Sequence, residues 1–433
     1  MCRHDFVERV SPGVYVTKED SHPYLILFVL WLLVFSASSQ TMIISPMLPQ
    51  IGRELNVPEA MQGTLVSVYA LMVGAFALVI GPISDKIGRR RVLLLGAGLM
   101  TIALALHGLA STYAGLLLVR TLAGIAGGVL SGSAVSYVGD YFPYEQRGWA
   151  SGWVMSSTAL GQILGVLLGI LLAAKYGIRT PFLGFSVTMG ATFLLIWRFV
   201  PQPRVQRSQG RLSVGGALRS YAALLHRSDV VVASAAFCLM YLGLALYIVY
   251  LPTWLAKTQG LTTGQIASVF LVGGIANAIT GPLAGKLSDR VGRKRLIVTS
   301  CLGLAAVMCA TTFLLHKFWM AYPLFFITMV LVAARISPFQ ALLSALVKDD
   351  HRGTLLSLTV ALGQIGFALG GALAGLVYSR FGYASNSMIG AASVLLMALL
   401  VWRFLPEPKL ESPVSAQAHT GAPVPSGVVG SNI

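Results

Sequence analysis

The chain of 433 residues is 56% hydrophobic and only 11% charged, against roughly 25% charged residues in soluble domains, which excludes an ordinary soluble enzyme. A mean hydropathy of +0.76 makes lipid the solvent for most of its length. The net charge of +16 comes from 31 Lys and Arg set in short clusters between apolar runs, a pattern of membrane orientation and not of a nucleic-acid surface.

A helix rising about 1.5 Å per residue needs roughly 20 apolar residues to cross about 30 Å of hydrocarbon. Twelve segments qualify, at 24–46, 60–83, 92–110, 114–139, 148–174, 180–199, 230–256, 263–286, 296–315, 321–347, 353–378 and 384–404. The fold class expected is therefore all-α: a polytopic membrane protein with twelve spans.

Residues 1–23 form a charged tail, and no small-residue cleavage site follows the first apolar run, so span 1 is expected to remain as a helix. Ser36, Ser39 and Gln40 share one face of span 1, and Tyr69 lies near the middle of span 2. Residues 81–91 read GPISDKIGRRR. His107 in span 3 is expected to face lipid or to lie near the outer surface, and to be structural and not a proton carrier. Span 4 carries Arg120 and ends at Asp140; span 5 carries Gln162 and a stripe of Gly161, Gly165 and Gly169 that lets helices pack closely. Residues 201–229, with five arginines among Pro, Gln and Ser, read as a solvated linker able to form a surface helix.

Beyond the linker, Tyr247, Tyr250 and Trp254 line the outer half of span 7 around Pro252, placed to stack on a substrate, gate an exit or anchor at the interface. Asn277 sits midway along span 8, residues 285–295 read GKLSDRVGRKR, and Arg335 falls halfway along span 10. Gln364 lies in span 11 beside Gly366, Gly370 and Ala374. Residues 406–433, rich in Pro, Ser, Gly and Ala without periodicity, are expected to be a disordered tail. Of the four cysteines, Cys238, Cys301 and Cys309 lie in apolar runs and Cys2 in the tail, so no disulfide framework is implied.

The two basic loops are copies, offset by 204 residues, and Leu160–Ile163 returns as Leu362–Ile365 at an offset of 202. The chain thus divides into duplicated halves, 24–200 and 230–405. An even number of crossings puts both termini on one side. With the ends inside, the inner segments hold 23 Lys and Arg and the outer loops six, which favours cytoplasmic termini; the expected location is a bacterial inner membrane.

Six spans plus six, with GxxxD(R/K)xGR(R/K) twice, as Gly81, Asp85, Gly88 and Arg89 and again as Gly285, Asp289, Gly292 and Arg293, resembles the major facilitator superfamily. The resemblance covers residues 24 to 404. It implies that Asp85 and Asp289 accept from helix N-termini of the opposite half when the cytoplasmic side closes, with Arg89, Arg90, Arg293 and Lys294 as latch cations and Asp140 as a partner of the first set. Arg120, Gly124, Ala126, Gly127 and Gly128 are similar to the family's RxxxGxG signature. Span 5 is similar to its antiporter motif, but Val166 replaces the proline and Ile170 the last glycine, so obligatory antiport is not implied.

In such a fold spans 1, 4, 7 and 10 line a cavity, 2, 5, 8 and 11 flank it, and 3, 6, 9 and 12 face lipid. The substrate candidates are then Arg335, Arg120, Ser39, Gln40, Tyr69, Gln162, Tyr247, Asn277 and Gln364. No acidic residue falls at mid-depth, so Arg335 needs an anion, water or other acceptors. It either binds substrate or bonds helix carbonyls and glutamines and shapes the bundle. The expected function is secondary transport of small organic solutes by alternating access, first as an exporter of drug-like or metabolite substrates, with an anionic or acceptor-rich substrate favoured. The alternatives are an organic-anion importer or facilitator, and a non-transporting sensor or lipid-handling protein of the same fold. Coupling to a proton or a counter-anion is open. Metal, cofactor and nucleic acid are not expected, and HExxH, GxSxG and P-loop signatures are absent.

Overall fold

The computed structural model describes residues 23–203, 214–346 and 349–406. The charged tail before Pro23 and the chain after Pro406 lie outside the described residues. All described elements are helical. Among the described residues, twelve helices are long and apolar enough to span a membrane: Pro23–Met42, Glu59–Gly81, Arg89–His107, Tyr113–Tyr141, Gln146–Tyr176, Thr180–Phe199, Ser228–Thr258, Thr263–Val291, Arg293–Leu314, Phe318–Leu343, Thr354–Phe381 and Tyr383–Phe404. These are spans 1 to 12 below.

Four spans depart from straight helices, each for a local reason. Span 1 stops at Met42, four residues before its expected end, and the chain restarts as a helix over Ile44–Glu54. Pro46 has no N–H for the Met42 carbonyl, and its ring would collide with that carbonyl in a continuous helix. Span 4 breaks at Ser131 and Gly132, where Gly132 takes φ +70°. Span 5 widens into a π-helical turn over Gly161–Gly165, a device that often marks functional sites. Span 7 breaks at Tyr250, just ahead of Pro252.

The two halves repeat the same close helix contacts. A Cβ on Gly165 would stand 2.3 Å from Ser39 Cβ and one on Gly169 2.1 Å from Ile43 Cδ1, so span 5 lies directly against span 1. In the second half a Cβ on Gly366 would stand 2.2 Å from the Cys238 carbonyl and one on Gly370 2.6 Å from that of Leu242. The small-residue stripes of spans 5 and 11 are therefore filled by spans 1 and 7.

The duplicated loop motif has a backbone cause. Gly88 (φ +98°) and Gly292 (φ +100°) turn the chain between spans 2 and 3 and between spans 8 and 9, each donating to a serine carbonyl four residues earlier, Ser84 and Ser288, at 3.0 Å. A side chain is strained in that region by about 1–3 kcal/mol. Gly88→Ala is expected to lower the melting temperature, whereas Gly81→Ala, whose Cβ would meet nothing within 4 Å, leaves it unchanged or raises it slightly; a thermal melt of both variants checks this.

Part of the linker is a helix, Val214–Leu225, that docks on spans 2 and 11. Tyr221 Oη donates to the Leu78 carbonyl at 3.0 Å, and burial pushes this hydroxyl above its ordinary range, so it stays a donor at neutral pH. His107 ends span 3 on the side away from the linker, in line with the expectation of a place near the outer surface, but it does not face lipid: it is 1% exposed, stacks on Phe182 of span 6 at 4.3 Å and lies with Nδ1 2.7 Å from the Ala103 carbonyl.

Candidate substrate cavity and its gates

A cavity of about 990 Å3, including its open mouth, lies between the halves and is lined from spans 1, 2, 4, 5, 7, 8, 10 and 11. Its two walls differ in chemistry. The first half contributes Thr41, Ser45, Tyr69, Arg120 and Gln162; the second contributes Tyr241, Phe270, Phe325 and Phe367 with the amides of Asn277 and Gln364. Among the described residues, the lining holds one cation and no carboxylate.

Arg120 is fixed by the first half alone. Its guanidinium lies over the Tyr69 ring, 4.4 Å from the centroid, and donates to Gln40 Oε1 at 3.3 Å and to the Leu65 carbonyl at 3.4 Å. Gln40 Nε2 donates to Tyr69 Oη at 2.8 Å, and Thr41 Oγ1 is 2.9 Å from the same hydroxyl. Span 4 approaches span 2 closely enough for this because Gly124 has no side chain: a Cβ there would stand 2.6 Å from the Tyr69 carbonyl. A guanidinium held over an aromatic face with part of its donor fork satisfied is a preorganised acceptor-binding group.

The structure thus gathers Arg120, Tyr69, Gln162, Asn277 and Gln364 on the cavity surface, with Gln40 buried behind Tyr69. Asn277 Nδ2 donates to Gln162 Oε1 at 3.4 Å across the two halves. Ser39, Tyr247 and Arg335 are not among the lining residues. Ser39 Oγ is turned back to the Phe35 carbonyl at 2.8 Å. Tyr247 Oη is 3.0 Å from Thr311 Oγ1 of span 9, inside the second half. Arg335 is fully buried beside Cys301 and Tyr241.

The far face, opposite the linker, is closed. Tyr250 Oη donates to the Glu59 carbonyl and accepts from the Gly63 N–H at 2.8 Å, and Lys257 pairs with Glu59. Backbone approach does most of the sealing: a Cβ on Gly63 would stand 2.1 Å from the Gly371 carbonyl and one on Gly375 2.4 Å from that of Ala60. The ion pair adds little, since Lys257 is 57% exposed and such pairs contribute about 0–1 kcal/mol. Sequence reading singled out Tyr250 but missed Glu59, Gly63 and Lys257, because a contact between loops of different halves leaves no spacing signal.

At the linker face the motif side chains pair within their own halves. Arg89 Nε donates to Asp140 Oδ2 at 2.6 Å and its Nη1 to Ser84 Oγ at 2.9 Å; Arg293 Nη2 is 3.5 Å from Asp289 Oδ1. The Asp85 carboxyl lies outside the described residues. A Cβ on Gly152 of span 5 or Gly281 of span 8 would meet nothing within 4 Å.

Known proteins carry the same plan. The Major Facilitator Superfamily profile matches residues 30–281 and 233–430. The Bacillus subtilis transporter YceJ, an uncharacterised MFS-type protein, is 27% identical over 81% of this chain and 89% of its own. The multidrug resistance protein MdtG of Proteus mirabilis is 25% identical over 87% of this chain and 94% of its own. Among solved structures, a D-xylose-proton symporter superposes with a TM-score of 0.73 at 20% identity, covering 90% of this chain and 99% of its own. The human organic anion transporter MFSD10 superposes with 0.65 at 17% identity, covering 87% and 99%. With a duplicated six-span half, a cavity at the repeat interface and a profile match running through both halves, the chain belongs to the Major Facilitator Superfamily.

Proposed function

We propose that this protein is a secondary active exporter of small amphiphilic organic solutes, working by alternating access in a bacterial inner membrane with both termini in the cytoplasm. The observation that carries the reading is the two-chemistry cavity, with a tethered guanidinium on one wall and an aromatic surface on the other. Such a site takes a solute with an apolar or aromatic body and an anionic or acceptor-rich group. The Lys and Arg excess on the linker side supports the orientation, which puts the closed far face outside, as in an arrangement that loads a solute from the cytoplasm for export. The name of the MdtG relatives supports export of drug-like compounds. Import of an organic anion is the second reading, favoured by the lack of any carboxylate in the lining. Binding and coupling tasks fall to the spans, and no chemical step is assigned to the chain.

Cells expressing the protein, loaded with fluorescent amphiphilic anions and their neutral analogues, are expected to accumulate less of the anions than control cells, and a protonophore is expected to abolish the difference. Higher accumulation in expressing cells would reverse the direction. Equal accumulation of every compound, with and without the protonophore, would remove the transport reading and leave a binding protein of the same fold.

A further inference from the structure

Both halves close on the same short sequence, WRFVP at 197–201 and WRFLP at 402–406, an offset of 205. In each, a cation of the duplicated loop holds that end. Arg90 Nη2 donates to the Trp197 carbonyl at 2.6 Å and the Arg90 backbone N–H to Gln202 Oε1 at 3.2 Å; in the second half Lys294 Nζ donates to the Leu405 carbonyl at 2.9 Å. Trp197 lies in the last turn of Thr180–Phe199 and Leu405 directly follows Tyr383–Phe404, and the last carbonyls of a helix lack an intrahelical donor and favour a cation. Span 3 is thus clasped to span 6, and span 9 to span 12.

Each clasp gathers cations that it does not use. Arg91 and Arg198 follow directly on Arg90 and Trp197, and Arg295 and Arg403 hold the matching places in the second half. All four are exposed, and the described ion pairs of this face use Arg89, Arg227 and Arg293 instead. Arg198 lies over the Phe199 ring at 5.2 Å and Arg403 over the Phe404 ring at 5.7 Å. The surface beside them is apolar: Trp197 is 62% exposed and Leu194, one turn earlier, 57%, while Trp402 and Leu399 are 60% and 57% exposed. Orienting the chain needs cations anywhere in these loops; it does not need the same Leu, Trp, Arg and clasping cation at one register in both halves.

We propose that the linker-side ends of spans 3 and 6, and of spans 9 and 12, each bind the headgroup of one anionic phospholipid. Arg91 with Arg198, and Arg295 with Arg403, donate to the phosphate oxygens, which the planar guanidinium fork matches. The Trp ring stays at headgroup level, as indole does at membrane interfaces, and the Leu one turn deeper receives the first acyl carbons. Basic notches between membrane helices on the cytoplasmic side hold such headgroups. A free phosphate would use the arginines and leave the Trp and Leu surface without a partner, so a lipid is the occupant assigned. The cytoplasmic leaflet follows from the orientation proposed above; the binding itself does not rest on the transporter reading.

The test is native mass spectrometry of the purified full chain with phosphatidylglycerol, or with phosphatidylcholine of the same acyl chains. The wild-type protein is expected to retain two phosphatidylglycerol molecules at concentrations where it retains no phosphatidylcholine. Arg91→Gln with Arg198→Gln is expected to weaken one of the two about thirtyfold, the effect of two basic residues at an anionic lipid surface, and Arg295→Gln with Arg403→Gln the other. All four positions are at the surface, where such changes leave the fold intact. Lys86→Gln with Lys286→Gln removes the same charge from exposed positions of the same face, on the helices that form spans 2 and 8, and is expected to leave both lipids in place. Equal retention of the two lipids by the wild-type protein would overturn the proposal. So would an equal loss from the lysine pair, since net charge alone would then hold the lipid. Displacement of phosphatidylglycerol by inorganic phosphate, at an ionic strength where chloride does not displace it, would also overturn it, by making the occupant a free anion.

Discussion

Replacing Gly63 by alanine is expected to hold the far face open and to stop turnover while the protein still folds. In the closed arrangement the new methyl would lie 2.1 Å from the Gly371 carbonyl and 3.1 Å from the Tyr250 ring. The nearest obstacle is backbone, which cannot swing aside as a side-chain tip can. Overpacking of this kind costs about 1–3 kcal/mol, a factor of about 5 to 150 in the balance between the two arrangements. That penalty falls on the closed far face only, because the contact it offends is between the halves. Gly264→Ala, in span 8 with nothing within 4 Å, is the control that should transport normally. Thiol labelling of a cysteine placed at Ala60, whose carbonyl lies under Gly375, is expected to be slow in the parent and at least tenfold faster with Gly63→Ala. Equal labelling rates would show that the far-face seal does not depend on this approach.

The second large effect is expected at Arg120. Arg120→Met keeps the length and apolar stem but removes the donors to Gln40 Oε1 and the Leu65 carbonyl and the charge over Tyr69. A charged hydrogen bond to substrate is worth about 1.5–3 kcal/mol, so transport of anionic solutes is expected to fall by a factor of about 10 to 150, and of neutral analogues much less. Arg120→Lys is expected to recover little, because an ammonium cannot lie flat on the Tyr69 ring while donating sideways to Gln40. Equal losses for charged and neutral solutes would mean that Arg120 holds spans 1, 2 and 4 together and does not read the substrate. Comparing the dissociation constants of one anionic and one neutral ligand in the purified variants separates these outcomes.

Much of this architecture is legible in the sequence. Apolar runs and the repeated GPISDKIGRRR and GKLSDRVGRKR point to twelve spans in two halves, because the bilayer imposes length and the turn imposes glycine at Gly88 and Gly292. The break in span 1 is marked by Pro46, but those in spans 4 and 5 are harder to see, since each depends on a few backbone angles inside an apolar run whose hydropathy does not change. The cavity is partly legible. Tyr69, Arg120, Gln162, Asn277 and Gln364 stand out as polar residues at mid-span depth, and they do line it. Depth alone does not fix rotation about the helix axis, and that is where Arg335, Ser39 and Tyr247 differ: they share the depth but point into their own halves. The aromatic wall of Phe270, Phe325 and Phe367 carries no signal in a sequence where phenylalanine recurs throughout the apolar runs.

The central claim is that two six-span halves rock about a cavity that is open to one face at a time. Spin labels at Trp153 and Leu287, exposed toward the linker ends of spans 5 and 8, and in a second sample at Met61 and Phe381, exposed near the far ends of spans 2 and 11, report both faces by pulsed dipolar spectroscopy. As a transported solute is added, the first distance is expected to shorten and the second to lengthen in the same fraction of molecules. Two distances that stay fixed while the labelled protein moves its solute across a liposome membrane would contradict the account.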